Sequence, residues 1–399
     1  MKKFWFLIGG SVAGVMLAVL LFAPFIVRGR QHRSICQLLQ FRLQRSDRAY
    51  VPTPVSVYES SAELRQSAIV PTWDTEMPKG QNVIWCASFQ LAWDRLGKDV
   101  VHAPPDVLHA EKVAERLNRN TFPESDVSAD SYYAAAGWCR DGIVENIRQE
   151  MQRRFHHLPT IAEIDHPMND IVAYGYLEVG IPFSVPYFEN PAPLAFEDGA
   201  GKKTNVSSFG VNFSKPSTEQ TPGLPLCQQV RVLHCAVDDR MRTTEFAIDP
   251  CRESSPNQVI LARVPAEATL QATWKSLEKR MADYPRQRFA EPKFELDTLL
   301  VPNLAWDLTH HFAELEGFDK HLKNKGFENL FLLHAIQGIC FRLDRSGAAL
   351  RSEALLSPAS GMPRTFIFDR PFFIFVRKRD RGVPFFALHV ANAELLCKP

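Results

Sequence analysis

The amino-acid sequence predicts a mixed α+β domain of several β-sheets with helices around them, preceded by one N-terminal transmembrane helix. Three observations predict it. Phe4 to Val27 is an uncharged apolar run bordered by Lys2-Lys3 and by Arg28, Arg30 and Arg33. Beyond residue 80, apolar spacings of three and four alternate with short runs rich in β-branched and aromatic residues, the mark of interleaved helices and strands. Near the C-terminus two aromatic runs flank a charged, glycine-containing turn, as a β-hairpin requires.

The N-terminal run comes first. A bilayer core of roughly 30 Å needs about 20 apolar residues in a helix, and Phe4 to Val27 is long enough. A cleavable signal peptide has a shorter apolar stretch and a small-residue cleavage site. Here Pro24-Phe25 follows Ala23, so an uncleaved anchor is favoured over a cleaved signal. The flanking positive charges nearly balance and do not set an orientation. Residues 1–33 are read as membrane anchor or signal segment, 34–77 as a linker carrying Pro52, Pro54 and Pro71, and 78–399 as one domain.

Within that domain, Trp85, Phe89, Ala92, Trp93 and Leu96 share a helix face. Val144, Ile147, Met151 and Phe155 share another, as do Leu270, Trp274, Leu277 and Met281 behind Pro265. Leu304, Leu308, Phe312 and Leu315 read as a fourth helix ending at the C-cap candidate Gly317. Strands are expected at Asp170–Ile181 and Val259–Val264, and in the hairpin Thr365–Val376 with Pro384–Val390. Their near-continuous apolar character suggests burial on both faces.

Composition narrows the function. The 399 residues are 45% hydrophobic with 28 Phe, enough for a large core, and the net charge of +1 gives no footprint for nucleic acid. The eight cysteines form no pair of C-x-x-C units, so a zinc site is not expected. Spacing leaves disulfides among Cys227, Cys235 and Cys251 open. His156-His157 and His310-His311 are adjacent pairs, which on a helix point about 100° apart and do not chelate from one face; they are read as surface or cap residues. Cys340 has no local catalytic signature and is read as a strand filler. Arg377 to Arg381 reads as a solvated hairpin turn rather than an anion patch. Asn205-Val206-Ser207 matches the N-glycosylation pattern, which matters only in a secretory-pathway host. No phosphate-binding loop, dinucleotide fingerprint, HExxH or GxSxG occurs. An enzyme is the weaker hypothesis, and no metal or cofactor is called for.

Six blocks then occur in an order more specific than any one of them: Val259-Ile260-Leu261-Ala262 with the helix from Leu270 to Met281, Glu291 to Leu296, Leu304 to Gly317, Cys340 to Asp344, Asp369 to Ile374, and Phe385 to Asn392. Together they resemble the serpin family. Glu291-Pro292-Lys293-Phe294 is similar to its P-K-F strand, and Asp369-Arg370-Pro371-Phe372 to its R-P-F strand. Leu304 to Gly317 looks like the helix after the first of these. Upstream the match thins: Asn82 to Phe89 resembles the strand-to-helix entry, with Cys86, Ala87 and Phe89 altering a small polar cluster. The resemblance spans roughly residues 81 to 397 and is strongest from about 259.

The resemblance implies a metastable fold whose loop between two C-terminal strands serves as protease bait and, once cut, inserts into a long central sheet. It places the loop hinge at Gly347, Ala348, Ala349, Leu350, Arg351 and Ser352. It places the scissile bond among Ser360, Gly361, Met362 and Arg364. The implied partner is a serine- or cysteine-type endopeptidase, with residues 4–27 contacting the membrane and the domain extracytoplasmic or, alternatively, secreted. A non-inhibitory serpin-fold binding or structural role is the runner-up. Counted from Gly347, the side chains that would point into a sheet are Ala348, Leu350, Ser352, Ala354 and Leu356, which leaves Arg351 and Glu353 in solvent. Against rapid insertion stand Arg345 and Ser346, in place of the family's acidic residues before the hinge.

Overall fold

A strand with both faces buried has no water to satisfy its N–H and C=O groups and must be paired on its edges. The chain obeys this in its centre. The computed structural model describes residues 60–156, 168–212, 226, 229–240, 242–288, 294–332, 334–347, 362–379 and 382–399. Strands β1 (Ser67–Ile69) and β2 (Asn82–Cys86) lead into helices α1 (Ala87–Arg95) and α2 (Glu111–Arg119). Next come β3 (Tyr132–Trp138), α3 (Ile143–Phe155) and β4 (Ile171–Leu177). Then follow β5 (Phe188–Glu189), β6 (Leu194–Glu197), β7 (Lys203–Val206), β8 (Ser208–Asn212), β9 (Arg231–Val237), β10 (Thr243–Asp249) and β11 (Asn257–Arg263). After α4 (Leu270–Arg288) the chain is all strand: β12 (Phe294–Pro302), β13 (Leu304–His311), β14 (Ile336–Leu343), β15 (Met362–Ile367), β16 (Phe372–Lys378) and β17 (Phe386–Val390).

The largest sheet runs β1-β2-β17-β16-β11-β10-β9. Its middle strands are the apolar runs of the sequence: Leu388 stands opposite Ile374 on one side and Ile84 on the other, all fully buried. Helix α4 lies against this sheet through Leu270, Trp274 and Leu277, with the Trp274 ring 5.0 Å from Phe375. Thr269 starts that helix, its Oγ1 accepting from the Ala272 amide at 3.0 Å. A second sheet runs β15-β12-β8-β5, and three two-stranded units remain: β3-β4, β6-β7 and β13-β14.

Four expectations are corrected. The helix expected from Leu304 to Gly317 is strand β13 over most of its length. Leu304, Leu308 and Phe312 are four apart, which satisfies a period of two as well as one of 3.6. Trp306, 1% exposed between them, is buried only by the two-residue period. The run Thr365–Val376 is two strands, since β15 belongs to the second sheet and β16 to the first. The folded unit also starts before Pro78: β1 pairs in parallel with β2, and the Glu394 carboxylate accepts from the Arg65 and Gln66 amides at 2.7 and 2.9 Å. Residues 60–77 are therefore part of the fold, not linker. Finally, Arg377 and Arg379 are not solvated. Arg377 lies over the Trp274 ring at 5.4 Å, and Arg379 pairs with buried Asp249 at 2.7 Å.

The anchor run Phe4 to Val27 lies outside the described residues; among these no helix is long and apolar enough to cross a membrane. Cys86, Cys139, Cys251, Cys340 and Cys397 are free thiols, so Cys235 and Cys251 are not joined.

Two histidines make the fold acid-sensitive. His389, stacked on Phe373 with ring centroids 4.4 Å apart, is held neutral down to about 4 by burial. His310, bonded to Ser61 Oγ at 2.8 Å, is likewise pushed down to about 4, by burial first and by His311 second. Above pH 6.5 neither folded nor unfolded chain carries these charges. As pH falls from there toward 4, the unfolded chain binds protons that the folded chain refuses, so stability falls, by up to about 3 kcal/mol for His389 alone. We expect urea midpoints to drop across that interval, and His389→Phe, which keeps the stack, to flatten the slope. A variant slope equal to the parent's would remove His389 from the account.

Candidate functional site

The site is built where β14 ends. Its last residues enter a tight turn: the buried Asp344 carboxylate accepts from the Ser346 amide at 2.8 Å and pairs with Arg342, and the Gly347 amide donates to the Asp344 carbonyl at 3.1 Å. The turn is gripped by the stretch after β4. Tyr187 N–H donates to the Arg345 carbonyl at 2.8 Å, Arg345 Nε donates to the Tyr187 carbonyl at 3.2 Å, and Phe183 N–H donates to the Ser346 carbonyl at 3.2 Å. Gly347 has φ +64°, and a Cβ there would lie 2.5 Å from both Ile181 O and Phe183 N. Only glycine fits. Beneath the grip Phe183, Tyr187 and Phe209 pack ring on ring, and the Tyr187 hydroxyl donates to Pro250 O at 2.8 Å.

Below this turn, β4 and β14 each have one partner strand among the described residues, β3 and β13 respectively. Both run over the start of α1. Gly175 of β4 sits so close that a Cβ would be 2.0 Å from Ser88 O. Gln337 of β14 donates through Nε2 to Cys86 O at 3.0 Å and Ser88 Oγ at 2.9 Å. The Cys340 thiol of β14 is pushed up by burial first, then by the carboxylates of Asp307 and Glu178, the latter just past β4. Tyr176 of β4 and Cys340 of β14 are close enough to interact electrostatically.

From Met362 onward the chain runs in a different sheet. Met362 opens β15 opposite Phe294 of β12. Arg364 is 4% exposed, with Nη1 3.4 Å from Cys235 Sγ, and shares the inward face with Phe366 and Phe368. Arg263 closes the exit of the strand, donating from Nη1 to Ile367 O at 2.9 Å.

The expected site residues thus fall into three groups. Gly347 closes the turn after β14 at φ +64°. Ala348, Ala349, Leu350, Arg351, Ser352, Ser360 and Gly361 lie outside the described residues. Met362 and Arg364 are strand residues, and burial takes the Arg364 bond out of a protease's reach in this conformation. Sequence reasoning missed the grip of Ile181, Phe183 and Tyr187 and the link from Gln337 to Ser88. No periodicity marks them, although the altered cluster at Cys86 and Ala87 pointed to the right place. Among the described residues no group of three His, Cys, Asp or Glu side chains could hold a metal ion.

No family model matches the sequence, and no curated protein matches it. Solved structures do. The chain is similar to protease nexin-1 crystallised with heparin, at 13% identity and a TM-score of 0.45, covering 78% of this chain and 92% of that one. It is similar to thyroxine-binding globulin in complex with thyroxine, at 12% identity and a TM-score of 0.41, covering 79% and 93%. It is also similar to Arabidopsis AtSerpin1 in its native stressed conformation, at 12% identity and a TM-score of 0.40, covering 79% and 93%. In each case the likeness is one of structure, at low identity.

Proposed function

We propose that this chain is a serpin-like protein that offers the segment between Gly347 and Met362 to a serine- or cysteine-type endopeptidase and draws the cut segment between β4 and β14. The observation that carries the reading is that β4 and β14, which both reach the start of α1, each pair with one strand among the described residues. A strand laid beside them would add backbone hydrogen bonds, each contributing about 1 kcal/mol net. The alternation of residues 348–356 suits that position, with Arg351 and Glu353 left in water. On this reading the scissile bond is Ser360-Gly361 or Gly361-Met362, and the burial of Arg364 in the strand beyond supports a bond ahead of it. On the same reading Phe4 to Val27 holds the protein on a membrane with the domain on the extracytoplasmic side.

A second reading, a non-inhibitory binding protein, is favoured by one feature. Arg345 ties the hinge to Tyr187 by two hydrogen bonds, which must break before the segment can turn in. A slow hinge gives a protease time to finish hydrolysis.

The test is one cut near Gly361, followed by thermal unfolding and by electrophoresis against a panel of serine and cysteine proteases. Insertion adds the backbone hydrogen bonds of a whole strand, so the melting temperature is expected to rise by on the order of 10–20 °C, with an SDS-stable protease adduct. An unchanged melting temperature and no adduct would overturn inhibition and leave the binding role.

A further inference from the structure

We propose that Asn205 is an acceptor for an N-linked glycan. The inference rests on the extracytoplasmic reading of the domain. The tripeptide Asn205-Val206-Ser207 ends strand β7, the outer half of the β6–β7 hairpin. That hairpin alternates cleanly. Leu194 and Val206 face each other buried, Phe196 is buried, and the pair between them, Ala195 with Asn205, is exposed on both strands. The asparagine therefore stands on the water face, and the residue across from it is a methyl group, which leaves a bulky sugar room without displacing a core side chain.

The serine of the tripeptide dates the modification. In the folded chain the Ser207 amide donates to the Cys397 carbonyl at 2.9 Å, Ser207 Oγ donates to the same carbonyl at 3.4 Å, and Asn303 Nδ2 donates to that hydroxyl at 3.1 Å. The hydroxyl that the transferring enzyme must read is thus engaged once the last residues of the chain arrive. Transfer has to precede them, on the emerging chain. In the step, the Asn205 carboxamide nitrogen attacks the anomeric carbon of a polyprenyl-pyrophosphate oligosaccharide. A C–N bond forms, the C–O bond to pyrophosphate breaks, the pyrophosphate leaves with the electron pair, and the amide loses one proton. No oxidant or reductant is required.

The experiment translates the full chain in the presence of endoplasmic-reticulum microsomes, with a reporter acceptor tripeptide appended after Pro399 to mark translocation of the domain. Two mobility steps, both removed by an endoglycosidase, are expected. Asn205→Gln and Ser207→Ala should each lose one step. A band shifted by the reporter alone and unchanged in both variants overturns the proposal while the topology stands. A chain with no shift at all shows the domain on the cytosolic side, and the proposal falls with the reading beneath it. Because transfer precedes folding, a poorly folding variant reads as clearly as the parent. A second tripeptide, Asn212-Phe213-Ser214, is open to the same enzyme on the emerging chain, so every chain in the experiment carries Asn212→Gln and the two expected steps are those of Asn205 and the reporter.

Discussion

Replacing Arg379 by methionine is expected to cost about 3–5 kcal/mol of stability, the range for removing one partner of a buried ion pair. Arg379 Nη1 meets Asp249 Oδ2 at 2.7 Å, with the carboxylate side chain 1% exposed and the guanidinium 16%. The same guanidinium donates to the carbonyls of Cys251 and Ser254. Asp249 in turn accepts from the Cys251 amide at 3.0 Å and from Gln258 Nε2 at 2.8 Å. The network fastens the β10–β11 connection to the β16–β17 hairpin, two stretches well over a hundred residues apart in sequence. With the arginine gone, a carboxylate is left dry and uncompensated, which is the costly half of the change. Asp249→Asn in the Arg379→Met background should therefore recover at least about 1 kcal/mol, because the stranded charge is gone. Urea denaturation followed by tryptophan fluorescence measures both. A single-variant cost below about 1 kcal/mol would show that the pair is solvated.

The parts of the fold that could be read from the sequence are those whose signal is local. Phe372 to Val376 and Phe386 to Val390 announce central strands because no other structure buries so many aromatic residues without a polar face. Helices α3 and α4 were legible for the opposite reason: their apolar residues leave one stripe and a polar remainder. Strand β13 was not, because spacings of four do not separate the two periods. The site divides in the same way. Gly347 was legible through the ordered blocks around it. Its grip was not, since Tyr187 and Arg345 are 158 residues apart and one of their two bonds runs between backbone atoms that any sequence would supply. Gln337 reaches Ser88 across 249 residues. Arg364 misled for a physical reason: a cation beside Pro363 reads as exposed, while the alternation of β15 turns it inward with Phe366.

Substituting Gly347 by alanine or by asparagine is expected to cost at least about 3 kcal/mol in either case, and the equality of the two is the informative result. Two costs are superposed at this position. The first is conformational: φ is +64°, which charges an ordinary L-residue roughly 1–2 kcal/mol but asparagine much less. The second is contact: a Cβ would lie 2.5 Å from Ile181 O and Phe183 N, backbone atoms held by the Pro182–Gly347 bridge and the Phe183 to Ser346 hydrogen bond. Alanine and asparagine carry the same Cβ. If φ alone ruled, asparagine would restore most of the stability. If the contact rules, asparagine fails as alanine does, and the melting temperature drops by on the order of 5 °C in both. The contact can be relieved only by moving the hinge away from residues 181–187, which breaks the grip and frees the chain that follows β14. A variant with a loosened grip should therefore show a faster rise in melting temperature after the cut near Gly361 than the parent does, at the expense of the uncut protein's own stability. An asparagine variant that melts with the parent would mean that the hinge is held by its dihedral angle alone, and that the stretch after β4 does not restrain it.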